Sequence, residues 1–187
     1  MKNLKVLITF IGVLFLFSSC KKQENLTIEG NLNLDIVLSS ETYHYEKVDL
    51  DNSGTVDIII YLVADHSPGG SALFKISIMG VKDKTYYRYQ KIEEQGKTHS
   101  IPAMYDDPEK ILNQTVTESY ICDYLDFCNT GYSQDTSWSF NDWRGQGVKY
   151  LALKLNNENG TYVGYIKIQV KGWTRIKLYD YKLKKVD

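Results

Sequence analysis

The chain reads as an all-β protein: an antiparallel β-sandwich of jelly-roll or lectin-like type, with at most one short helix. Three observations predict this. Apolar and polar residues alternate along several short stretches, the pattern of half-buried strands. Turns rich in Asn, Asp, Gly and Ser separate them. Only one place in the 187 residues carries helix-start chemistry.

The elements follow in order. In Asn31–Leu38, Leu32, Leu34, Ile36 and Leu38 share one face, against Asn and Asp on the other. Tyr43 and Tyr45 alternate with His44 and Glu46 in a second strand. Val56, Ile58, Ile60 and Leu62 form the apolar face of a third, whose other face (Ile59, Tyr61, Val63) is also apolar, as in a central strand. Phe74, Ile76 and Ile78 mark a fourth, and the tyrosine-rich Lys84–Ile92 a fifth. Asp107-Pro108-Glu109-Lys110 predicts a short helix, with an acidic cap and proline at its first position. Thr115–Tyr124 has strand propensity. Asn129–Gly147 is polar and rich in Gly, Ser, Thr and Asn, and predicts a long loop. Lys149–Leu155 and Thr161–Val170 flank the hairpin turn Asn156–Gly160, and Thr174–Leu183 is a last strand.

The first twenty residues carry a different signal. Lys2 and Lys5 precede an apolar run, Val6–Phe17, too short to span a bilayer comfortably, and then Ser18-Ser19-Cys20. This resembles the lipobox of bacterial lipoproteins, although Phe17 stands where Leu is usual. The resemblance implies removal of residues 1–19, lipidation of Cys20, and a membrane partner reached through acyl chains, with the outer membrane as the expected location. Residues 20–30 then form a tether and 31–187 a single sandwich domain. The first nineteen residues hold two of the 22 Lys+Arg and none of the 23 Asp+Glu, so the remainder carries 20 basic against 23 acidic side chains, a net charge near −3. No basic cluster invites nucleic acid. Beyond Cys20 there remain Cys122 and Cys128. An even pair in an exported chain reads as a disulfide, closing a short loop whose entropic contribution is about 2 kcal/mol.

The sharpest local motif is Asp49-Leu50-Asp51-Asn52-Ser53-Gly54-Thr55-Val56-Asp57. Oxygen-bearing side chains fall at alternate positions, with glycine sixth, as in the first part of a calcium loop. Asp49, Asp51, Ser53, Asp57 and the Thr55 carbonyl are the expected ligands of a structural Ca²⁺. The closing Glu is missing, because Ile60 stands there. A plain hairpin turn fits the same residues, since Asp and Asn side chains bond nearby amides without a metal.

A second motif is aromatic. Tyr132, Trp138, Asn141, Asp142, Trp143 and Arg144 place rings among amides and charges, a composition that suits stacking on a sugar. The opposing reading is that Trp138, Phe140 and Trp143 fold inward to plug the sandwich. No nucleophile elbow, zinc-protease motif or phosphate loop is present, and no catalytic residue is assigned.

The stretches Asp49–Ile58, Trp143–Leu155 and Gly160–Ile168, with Leu178-Tyr179-Asp180-Tyr181, resemble a group of exported bacterial all-β proteins. These share an Asp-rich early element and a late hairpin reading YLGLKF and YGWIRL. Ala152, Val163-Gly164-Tyr165 and Lys182 depart from that pattern. The resemblance implies an exported all-β domain with a calcium-like early loop, and carries no activity with it. The expected function is therefore a lipid-anchored envelope module that binds glycan or another small ligand. The alternative is a structural lipoprotein that binds an envelope protein, and a hydrolase of unrecognised type comes third.

Overall fold

The computed structural model describes residues 27–39, 42–66, 72–94, 97–113, 120–121, 124–132, 137–140 and 143–186. Among them run β1 (Thr27–Val37), β2 (Tyr43–Val48), β3 (Ile58–His66), β4 (Ala72–Gly80), β5 (Thr85–Glu94), β6 (Lys97–Pro102) and β7 (Met104–Tyr105). A single helical turn, α1 (Glu109–Leu112), follows. Then come β8 (Tyr120–Ile121), β9 (Tyr124–Tyr132), β10 (Ser137–Phe140), β11 (Lys149–Asn157), β12 (Gly160–Val170) and β13 (Arg175–Val186). Two antiparallel sheets pack face to face, so the expected all-β sandwich is the fold. The larger sheet runs β1-β13-β12-β11-β5-β6, with β7 beside β11 and β8 beside β5. The smaller runs β10-β9-β4-β3-β2.

The alternation seen in sequence explains why the sheets meet. Ile58, Ile60, Leu62, Ile76 and Ile78 point inward from the smaller sheet and are fully buried. Leu151, Leu153, Leu155, Ile166, Ile168, Ile176, Leu178 and Leu183 answer from the larger one, and all join a single core. Each such side chain stabilises by about 1.5–3 kcal/mol through removal from water. The helical turn forms where expected. The Asp107 carboxylate accepts the Glu109 N–H at 3.0 Å, Ile111 is buried, and the turn packs on β12.

Several boundaries differ from the sequence reading. β1 begins at Thr27, so residues 27–30 are strand rather than tether; Ile28 already packs on the core. Val56 lies before β3, in the loop. Much of the expected loop 129–147 is strand. β9 pairs with β4 from Tyr124 to Tyr132, and β10 pairs with β9. Cross-strand hydrogen bonding overrides the loop-like composition there. β6 and β7 lack alternation and were not expected, yet they extend the larger sheet. Residues 1–19, Cys20 and Cys122 lie outside the described residues, and so does the Cys122–Cys128 pairing.

Gly164 is dictated by packing. A Cβ on Gly164 would sit 1.8 Å from the Lys182 carbonyl oxygen of the adjacent β13, so neighbouring backbone claims the space. Gly172 has open space around it. Gly164→Ala is therefore expected to cost about 1–3 kcal/mol or more. Gly172→Ala should stay within about 0.5 kcal/mol. Urea unfolding of both variants checks the contrast.

Candidate functional site

The Asp49–Asp57 loop joins β2 to β3 and folds around its own side chains. The Asp49 carboxylate accepts the N–H groups of Ser53 (3.2 Å) and Gly54 (2.7 Å), and Asp51 accepts Ser53 N–H at 3.1 Å. These bonds demand a tight turn, which Asn52 (φ 56°) and Gly54 (φ 80°) supply from the left-handed region. Asp57 is fully buried. One of its oxygens accepts the N–H groups of Leu50 (2.6 Å) and Asp51 (3.3 Å). The Asp51 carboxylate also accepts the side-chain amide of Asn157, at the end of β11, at 3.0 Å. The Tyr181 hydroxyl of β13 donates to the Leu50 carbonyl.

Carboxylate oxygens of Asp49, Asp51 and Asp57 lie within 4.8 Å of one another, so this triad could hold a metal ion. The same point is where the Lys84 ammonium arrives, from the turn between β4 and β5. It pairs with the second oxygen of Asp57 and donates to Thr55 Oγ1 (2.6 Å) and Ser53 Oγ (3.3 Å). The nearest Asp51 oxygen is 4.0 Å away. Thr55 meets Lys84 through its hydroxyl. Burial pushes the Asp57 carboxyl up, and the Lys84 and Leu50 contacts offset that only in part. For Asp51, burial is outweighed by hydrogen bonds from Ser53 and Asn157 and by the Lys84 charge, so its carboxyl is held below the usual range. Burial, then the aspartate charges, raise the Tyr181 phenol.

The spacing of oxygens was legible in the sequence; Lys84 was not, being 27 residues beyond Asp57 and brought in only by sheet topology. A groove of about 770 Å³ opens beside the loop, lined by Ile28, Asn52, Thr55, Glu158 and Lys185 among others.

The aromatic segment is split apart. Trp143, expected to meet ligand, is only 1% exposed, and its indole packs edge-on against Phe127 with centroids 4.8 Å apart. Its backbone N–H donates to the Phe127 carbonyl at 3.0 Å. Its large ring is worth more in the core than at a solvent face, so Trp143 is a core residue. Arg144 stacks its guanidinium on Trp173, which packs in turn on Phe74. Tyr132 ends β9 and Trp138 lies in β10, paired through the backbone with Gly131. Asn141 and Asp142 lie outside the described residues.

A different aromatic group reaches solvent. Tyr43 is 63% and Tyr45 49% exposed on β2, an edge strand. The register places them opposite Val63 and Tyr61 of β3 on the outer face of the smaller sheet. The Tyr45 and Tyr61 rings lie 6.3 Å apart, and Lys47 extends over Tyr45. The tyrosine alternation was visible in sequence; its outward orientation was not.

No family model, curated protein or solved structure matches the chain.

Two substitutions test this description. Asp57→Ala leaves the Lys84 ammonium and the Leu50 amide without their acceptor, and should destabilise by about 3–5 kcal/mol. Trp143→Ala should cost a similar 3–5 kcal/mol by opening a cavity against Phe127. Denaturant unfolding measures both.

Proposed function

We propose that the protein is a lipid-anchored binding module of the bacterial cell envelope that takes glycan on the tyrosine face of β2 and β3. The observation that supports it is the exposure of Tyr43 and Tyr45 beside Tyr61 on one sheet face. Sugar rings present apolar faces that stack on aromatics while neighbouring polar groups take the hydroxyls. Lys47 and the groove of about 580 Å³ along Thr42–Tyr45 offer such neighbours.

The lipobox-like sequence and the strand layout agree with this role. Six residues separate Cys20 from Thr27, a reach of at most about 25 Å. Thr27 pairs with Lys184, at the end of the sandwich that carries the Asp49–Asp57 loop. Tyr43 pairs with Val63, toward the other end, where Phe74 meets Trp173. A short lipid tether would hold the aspartate loop near the bilayer and present the tyrosines away from it. Calcium is the divalent ion whose oxygen preference suits the aspartate loop. In this reading it competes with Lys84 for one position.

A second reading rests on the same strand. β2 is a sheet edge with large exposed side chains, the kind of edge another polypeptide strand can join.

A glycan-array screen of soluble residues 21–187 tests the proposal. Binding is expected, and Tyr43→Ala/Tyr45→Ala should abolish it while shifting Tm by little, because both rings are solvent-exposed. Binding that survives the double substitution rejects the tyrosine face. Absence of any glycan bound leaves the strand-pairing reading as the one to pursue.

A further inference from the structure

The geometry assigns Lys84 the role of resident cation of the Asp49–Asp57 loop, so that the loop is folded and held without a metal ion. Four observations carry this. The ammonium is ion-paired with Asp57 and donates hydrogen bonds to Thr55 Oγ1 and Ser53 Oγ. Those residues, with Asp51 at 4.0 Å, are the ones whose spacing mimics a calcium loop, so lysine nitrogen and metal would claim one point. The Asp49 oxygens are already engaged by Ser53 and Gly54 N–H groups. The carboxylate that would close a calcium shell is replaced by Ile60, which is fully buried in the core.

Lys84 is also held where it is. Its N–H donates to the Val81 carbonyl at 3.0 Å, and its own carbonyl accepts the Asn156 N–H at 2.7 Å. Its side chain is only 18% exposed. The ammonium therefore arrives already positioned, as an intramolecular ligand with a high effective concentration. A divalent ion would have to lose water and evict it from a buried carboxylate. The tyrosine face plays no part in this.

The test is thermal unfolding of the full chain in EDTA and in millimolar CaCl₂, for the natural protein and for Lys84→Met. The natural protein should show one Tm in both conditions. Lys84→Met should lose roughly 10 °C in EDTA, as expected for a broken buried pair, and regain most of it in calcium. That pattern means the methionine variant has traded an ammonium for a metal at the same point. A calcium-dependent rise in the natural protein overturns the assignment, because metal then occupies the loop despite Lys84. So does a Lys84→Met variant as stable as the natural protein in EDTA, or one destabilised but indifferent to calcium. Should Lys84→Met fail to fold in both conditions, ¹⁵N-lysine spectra of the natural protein decide. A slowly exchanging Lys84 ammonium resonance that calcium leaves in place supports the assignment. A fast-exchanging resonance, or one displaced by calcium, overturns it.

Discussion

The buried carboxylate of Asp57 is the constraint on which one whole end of the sandwich depends. An ionised group out of water costs several kcal/mol unless paired and hydrogen-bonded. Asp57 meets that demand with partners from two places: the Leu50 and Asp51 amides of its own loop, and Lys84 from the β4–β5 turn. The partners are held in turn. The Lys84 carbonyl accepts from Asn156, the Asn157 amide donates to Asp51, and the Tyr181 hydroxyl donates to the Leu50 carbonyl. One carboxylate thus organises contacts from the β2–β3 loop, the β4–β5 turn, β11 and β13, spanning both sheets. The apolar core beneath is larger in energy but without direction. The polar chain at its end is directional, and fixes how the loop sits on the sheets.

The parts of the fold legible in the sequence are those where local pattern and burial agree. Alternation at Ile58-Ile60-Leu62 and Ile76-Ile78 names the inward face, because a strand buried on one side must alternate. Asp107-Pro108 announces the helical turn because capping is local. What stays hidden depends on long-range pairing. The end of β9 and all of β10 read as loop because Gly, Ser and Asn are poor strand formers alone; β4 supplies the ladder for β9, and β9 that for β10. Trp143 looks like a ligand platform because its neighbours are polar, while Phe127, sixteen residues earlier, places it in the core. The aspartate spacing is local and was visible; the ammonium that answers it comes from another strand connection and was not.

The pairing of Lys84 with this loop has a consequence for how the fold is reached. A metal-held loop closes only when metal is present, whereas a lysine-held one closes when β4 returns along β3 and the turn after it delivers residue 84. Asp57, Val81 and Lys84 are linked in sequence by that antiparallel pair: Val81 N–H donates to the Asp57 carbonyl, and Lys84 N–H to the Val81 carbonyl. The counter-charge is therefore built by the same hairpin that buries Ile58 and Ile78. Charge compensation and hydrophobic burial become one event, which is the consistency across levels that marks a well-specified fold.

β1 and β2, each at an edge of its sheet, are treated differently. β1, an edge of the larger sheet, is interrupted by a register shift between Asn31 and Leu34, with Asn33 at φ 43°. It also carries Glu29 and Asp35, paired with Lys182 and Arg175 of β13. Bulges and charges are how sheet proteins blunt an edge against unwanted pairing. β2, an edge of the smaller sheet, pairs with β3 in unbroken register and presents Tyr43 and Tyr45 to solvent. β1 is thus interrupted and charge-paired, whereas β2 keeps an unbroken register, its exposed tyrosines set among His44, Glu46 and Lys47. An unprotected edge is a liability unless it is used. The contrast between the two edges is what favours β2 as the surface for the binding role proposed above.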